Sequence, residues 1–79
     1  MRAHGPLAVL WTDHALVKAQ LLAVTRLDVE DAILDGHGRR TRNARAADWL
    51  VQVGRLVVAY NYPEGDELTA LVVTLWRRG

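Results

Sequence analysis

Apolar positions follow different periods along this chain, and each period predicts a different kind of element. The apolar run at residues 7–11 lies between Pro6 and Thr12, and its length predicts a β-strand. Residues 14–24 are rich in helix-forming side chains, and after His14 only two polar residues interrupt them. An ordinary surface helix has one apolar stripe, so a helix that is apolar nearly all round predicts burial or a partner.

Polar residues mark the predicted ends of two helices. Thr12 is a suitable N-cap for the first helix. The second helix is predicted to have Asp28 as its N-cap, with Asp31 three residues on, and to close at Gly36. Its apolar stripe consists of Val29, Ala32 and Ile33. The short link at residues 25–27 predicts that the two helices form a tight hairpin.

The second half of the chain is rich in Val, Leu, Tyr, Trp and Thr and predicts three strands, at residues 49–53, 55–62 and 67–77. Gly54 and the segment 63–66 supply the turns between them. In the middle strand one face carries Leu56, Val58, Tyr60 and Tyr62. In the last strand Leu71, Val73 and Leu75 share one face, and Ala70, Val72, Thr74 and Trp76 share the other. Apolar residues on both faces predict that the last strand is internal.

These elements predict an α+β fold in the order β-α-α-β-β-β, with a two-helix hairpin packed on a twisted antiparallel sheet. The length of 79 residues predicts a single domain over 1–79, with an ordered core over about 7–78. The chain has no cysteine, so no disulfide or thiolate metal site reinforces the core. No secretory signal and no run long enough to span a membrane is visible, which predicts a cytoplasmic protein without membrane contact.

The formal net charge is only +1, but its distribution is uneven. Residues 36–46 contain four arginines and no acid: Arg39, Arg40, Arg42 and Arg45. So many cations predict an exposed connection, because their burial without partners is costly. The planar guanidinium suits phosphate, and Arg55, Arg77 and Arg78 would extend a cationic surface for RNA. The alternative is a solvated loop whose charge balances the acidic second helix.

Three side chains are candidates for proton transfer: His14, His37 and Tyr60. A metal-independent ribonuclease needs a base, an acid and cations for the developing phosphorane charge. His37 lies among arginines and fits the base, while His14 or Tyr60 fits the acid. For His14 the alternative is structural, a hydrogen bond that ties the first helix to the sheet. The spacing of His4, His14 and His37 matches no metal-ligand pattern, and the sequence implies no cofactor.

Three segments carry a resemblance to known proteins: Thr12-Asp13-His14-Ala15, residues 28–34, and residues 72–78 with a Val-Thr-Leu-Trp-Arg run. In order and spacing they resemble a family of small bacterial domains with a Ser/Thr-x-His-Ala helix start. That family in turn resembles the RelE/ParE/BrnT-like toxins. The resemblance implies two helices on a twisted antiparallel sheet, metal-independent ribonuclease activity, and inhibition by an antitoxin-like partner.

Two functional hypotheses follow. The first is a toxin-like domain that binds or cleaves RNA, with the arginine run on phosphate and His14 or His37 as proton carrier. The second is a non-catalytic interaction module that forms a homodimer or binds a small helical partner through the apolar first helix. No motif supports a third class, an enzyme acting on small molecules.

Overall fold

The computed structural model describes residues 6, 8–42, 47–63, 65 and 68–78. Within them the chain forms a five-stranded sheet and two helices, an α+β fold as predicted. The elements are β1 (Ala8–Trp11), α1 (Asp13–Leu21), α2 (Arg26–Gly36), a 3-10 turn (His37–Arg39), β2 (Thr41–Arg42), β3 (Trp49–Val53), β4 (Leu56–Asn61) and β5 (Thr69–Arg77). The strand order across the sheet is β1-β5-β4-β3-β2.

The sheet is mixed, which corrects the prediction of a wholly antiparallel one. β2, β3, β4 and β5 pair antiparallel in sequence order, but β1 pairs parallel with β5. No tight turn joins β1 to β5, because both helices and the other strands lie between them in sequence. The prediction that β5 is internal is confirmed, since it lies between β1 and β4. β2 was not predicted; it forms from two residues of the arginine-rich connection.

Short polar side chains set where both helices begin. Thr12 caps α1 as predicted: its Oγ1 accepts from the backbone N–H of Ala15 at 3.1 Å and donates to the carbonyl of Val73 at 3.1 Å. α2 begins three residues earlier than predicted. Thr25 is its N-cap, and the Thr25 Oγ1 and the Asp28 carboxylate accept each other's backbone N–H at 3.1 Å. Asp28 is therefore the third helical residue in a capping box rather than the cap.

Each helix packs mainly on the sheet. α1 lies on β5 and buries the small side chains of Ala15 and Ala19, while α2 lies on β3 and β4. α1 ends at Leu21, three residues earlier than predicted, and Ala23 turns the chain with a φ of 56°. The short link therefore sets the two helices beside each other on one sheet face. Each helix makes its main contacts with the sheet and not with the other helix, so the predicted tight packing of a helical hairpin is not seen.

The core lies between the helices and the sheet face toward them, which we call the helix face. Its largest fully buried side chains include Tyr60, Ile33, Leu75, Val29, Val51, Val58 and Val72. The predicted division of β5 into two faces was wrong in part, since Val72 and Leu75 both belong to this core. A β-bulge explains the difference: Ala59 pairs with Thr74 but Tyr60 pairs with Val72, so one extra residue on β5 shifts the alternation.

Two glycines are required by local geometry. Gly36 ends α2 as predicted, and a Cβ there would lie 3.0 Å from the Cβ of Val51, so the residue allows α2 to approach β3 closely. Gly54 has a φ of 61° and, with Arg55, forms the two-residue turn between β3 and β4. In the described part of the chain no helix is long and apolar enough to cross a membrane.

Candidate functional site

His37 is a buried histidine at the point where α2 passes into the edge of the sheet. It lies in the 3-10 turn, and its side chain is only 4% exposed. The Nδ1 of His37 lies 3.0 Å from the Tyr62 hydroxyl, and the Nε2 lies 3.3 Å from the Arg40 Nη1. The same Arg40 nitrogen donates to the carbonyl of His37 at 3.1 Å. We refer to His37, Arg40 and Tyr62 as the histidine cluster.

The chemistry of these groups determines the direction of the hydrogen bonds. A guanidinium only donates, so the Nε2 of His37 accepts from Arg40 and carries no proton. The imidazole is then neutral, its proton is on Nδ1, and Nδ1 donates to the Tyr62 oxygen. The hydroxyl hydrogen of Tyr62 is thereby directed to an acceptor other than His37. Tyr62 can give a proton while its oxygen is held in place.

The two tyrosines at the end of β4 have different environments. Tyr60 is fully buried at 0% exposed, and its ring meets that of Tyr62 edge-to-face at 5.6 Å. Tyr62 is half-buried and also meets the His37 ring edge-on at 6.4 Å. Sequence reasoning named Tyr60 as a proton carrier and overlooked Tyr62. Strand alternation places both residues on one face, so the pattern contains no signal for which one meets His37.

Two arginines of the predicted run converge on one aromatic ring. The guanidinium carbons of Arg40 and Arg42 each lie 4.4 Å from the ring centre of Trp49, a cation–π distance. Arg42 pairs with Trp49 across β2 and β3, which places the two side chains opposite each other. Arg40 is half-buried and Arg42 is exposed. The edge of the sheet therefore presents two positioned cations, of which Arg40 also belongs to the histidine cluster.

The other predicted phosphate ligands do not join this pair. Arg39 is exposed and lines a separate groove with Arg78, and Arg55 is exposed in the β3–β4 turn. Arg77 lines a groove on α2 whose acidic side chains are Asp28, Asp31 and Asp35. Arg45 lies outside the described residues. The structure thus distributes the predicted cationic surface over several places.

His14 lies apart from the histidine cluster. It is exposed at the start of α1, and its Nε2 lies 3.0 Å from the Thr74 hydroxyl on β5. Together with the Thr12 hydrogen bond to Val73, this contact fastens the beginning of α1 to the middle of β5. The geometry fits the structural alternative for His14, a tie between the first helix and the sheet.

Nothing in the described part of the chain brings three His, Asp or Glu side chains together as a metal site, and His4 lies outside it. Comparisons of the chain with protein-family models, with curated proteins and with solved structures found no match. The histidine cluster and the arginines around Trp49 are the groups whose chemistry indicates a function.

Proposed function

We propose that this chain is a toxin-like domain that binds RNA through Arg40 and Arg42 and cleaves it, without metal, beside Tyr62. One observation carries the proposal: two guanidinium groups are held over Trp49 next to a buried His37 that is hydrogen-bonded to Tyr62. The resemblance noted in the sequence points to the same class. RNA and an antitoxin-like partner are both part of the proposal.

Preorganisation of the two cations supports phosphate binding. Both guanidinium carbons lie within 4.4 Å of one ring centre, so they are no further apart than about twice that distance. Stacking on Trp49 restricts the long side chains before RNA arrives, which lowers the entropic cost of binding. Guanidinium groups bind phosphate through paired hydrogen bonds. With two such phosphate contacts, the logarithm of the RNA-binding constant should fall with the logarithm of the salt concentration with a slope of roughly −1.4 for single-stranded RNA.

For cleavage, the proposal assigns different roles to the members of the histidine cluster. The 2′-hydroxyl oxygen of the RNA attacks phosphorus and gives its proton to water, while Tyr62, which is half-buried and contacts the RNA, protonates the oxygen that leaves phosphorus through its hydroxyl. His37 is buried, so it acts on Tyr62 rather than on RNA, and its Nδ1–H stabilises the phenolate that forms. Arg40 holds the required tautomer of His37 and supplies positive charge for the phosphorane.

Inducible expression in a bacterium tests this proposal, with growth and total RNA integrity as the readouts. Wild-type protein should arrest growth and degrade RNA. The R40A/R42A variant should lose both effects, and Tyr62→Phe should lose cleavage while still binding a single-stranded RNA oligonucleotide. Arg26→Ala, a change at an exposed arginine at the start of α2, is the matched control and should behave as wild type. Normal growth with intact RNA in all four strains, with soluble folded protein confirmed, would reject the proposal.

A second function is favoured by exposed apolar side chains on α1 and at the start of α2. Val17 and Leu21, four residues apart, are 53% and 76% exposed, and Leu27 at the start of α2 is 65% exposed. A small domain with this apolar surface suits a non-catalytic module that pairs with itself or with a small helical partner. Sedimentation at micromolar concentration tests self-pairing. A dimer converted to monomer by V17S/L21S would support it, and a strict wild-type monomer would exclude the homodimer.

A further inference from the structure

The arginine run divides between the two faces of the sheet at its edge. Arg40 and Arg42 lie at Trp49, which is on the helix face. Arg39 instead lines a groove of about 460 Å³ together with Thr41 and Arg78. The groove extends over the opposite side of the sheet, which we call the outer face and define by Leu50 and Val57. It is separate from the proposed RNA surface.

The groove has an aliphatic floor and cationic ends. Leu50 is half-buried and Val57 only 1% exposed, and both line it together with the exposed amide of Gln52. Among the described residues, no acidic and no aromatic side chain lines it. Arg39 and Arg78 are exposed, and within the described residues neither guanidinium forms an ion pair or a hydrogen bond. Two uncompensated cations beside an apolar floor predict an occupant that is both acidic and aliphatic.

Strand order gives the length of that occupant. Arg39 lies beside β2 and Arg78 directly follows β5, with β3 and β4 between them. The backbone N–H of Arg78 donates to the carbonyl of Arg55 at 2.9 Å, which holds Arg78 beside the β3–β4 turn. Three strand spacings of about 4.8 Å place the two positions roughly 14 Å apart. An extended peptide rises about 3.3 Å per residue, so roughly four residues separate two side chains over that distance.

We propose that the outer-face groove binds an extended acidic segment of a partner protein, with two carboxylates four residues apart and aliphatic side chains between them. One carboxylate pairs with Arg39 and the other with Arg78, while an aliphatic side chain between them covers the half-buried Leu50. RNA is the less suitable occupant, because no described residue of the groove offers a ring on which a base stacks and because the groove floor is apolar. The function is recognition of an acidic peptide, independent of the RNA surface.

Fluorescence anisotropy with two labelled peptides of one composition tests the proposal. The first is Glu-Val-Leu-Val-Glu, with its acids four residues apart, and the second is Glu-Glu-Val-Leu-Val, with its acids adjacent. The full chain should bind the first more tightly than the second. Arg39→Ala and Arg78→Ala should each weaken that binding about fivefold, the loss expected for one charge-assisted contact at an exposed site. Arg26→Ala and Arg42→Ala, changes at exposed arginines outside the groove, should leave it unchanged.

Several results would overturn the proposal. One is equal binding of the two peptides, or no binding at millimolar concentration. Another is unchanged affinity in the Arg39 and Arg78 variants. If a single-stranded RNA of equal net charge loses as much affinity in Arg39→Ala as in Arg42→Ala, the groove belongs to the RNA surface instead. If Arg39→Ala abolishes self-association, the occupant is a second copy of the chain. The RNA proposal stands or falls separately, because it is tested by changes at Arg40, Arg42 and Tyr62 and not by binding of the two peptides.

Discussion

The hydrogen bond between Tyr62 and His37 makes the sharpest stability prediction. Tyr62→Phe removes one oxygen and keeps the ring that packs edge-to-face against Tyr60 at 5.6 Å. His37 is 4% exposed, so its Nδ1–H loses its acceptor in a place where water does not readily replace it. An unsatisfied buried donor costs about 1–2 kcal/mol. In a domain of this size each kcal/mol lowers Tm by roughly 4–8 °C.

The assay is a double-mutant cycle measured by urea unfolding. Its corners are the wild type, Tyr62→Phe, His37→Leu, which removes both ring nitrogens, and the double variant. Both residues have other contacts, so each single change loses more than the bond between them; the cycle cancels those losses and isolates the pair. We expect a coupling free energy of about 1 kcal/mol.

A coupling free energy below about 0.3 kcal/mol would refute the reasoning, because changes at independent sites add to within that range. Nitrogen chemical shifts of His37 provide a second check on the same pair. They should show a neutral ring protonated on Nδ1, since Arg40 donates to Nε2. A ring protonated on Nε2 would contradict the assigned direction of both hydrogen bonds.

Three further changes test the packing that supports the site, each by thermal or urea unfolding. Gly36→Ala should destabilise by about 1 kcal/mol, since its Cβ meets the Cβ of Val51 at 3.0 Å, and V51A should not relieve that loss because alanine keeps the Cβ; a gain in stability in Gly36→Ala would show that β3 can move away at no cost. Thr25→Ala should cost about 1 kcal/mol by breaking the capping box with Asp28, while Thr25→Ser should cost little; equal losses would argue against the cap. Ile33→Ala should cost about 2–5 kcal/mol because the side chain is fully buried, and a loss under 1 kcal/mol would contradict its place in the core.

Part of the site was visible in the sequence because it depends on residue type. An imidazole beside several guanidinium groups marked His37, Arg40 and Arg42 as candidates, and these residues do lie together around Trp49 and Tyr62. Tyr62 itself was overlooked, because β-strand alternation gives it the same face as Tyr60. The two tyrosines are distinguished by the hydrogen bond that Tyr62 forms with His37 in the turn after α2. That bond joins residues twenty-five positions apart. No local pattern reports a contact of that range.

Local chemistry in the sequence determined the features that depend on neighbouring residues. Thr12 begins α1 through its own hydroxyl, Gly54 makes the β3–β4 turn through its positive φ, and the alternation of β4 places its apolar face on the core. Such features involve atoms only a few bonds apart, so a short stretch of sequence is enough to specify them. The N-cap at Thr25 belongs to the same class, since Thr25 and Asp28 are three residues apart.

Only the tertiary structure decided the remaining features. The parallel pairing of β1 with β5, the bulge that returns Leu75 to the core, and the pairing of β2 with β3 that sets Arg42 opposite Trp49 all depend on segments distant in sequence. Each is set by which elements meet across the sheet, where a one-residue shift reverses the face of every side chain. The division of the arginine run into two surfaces follows from that physical fact.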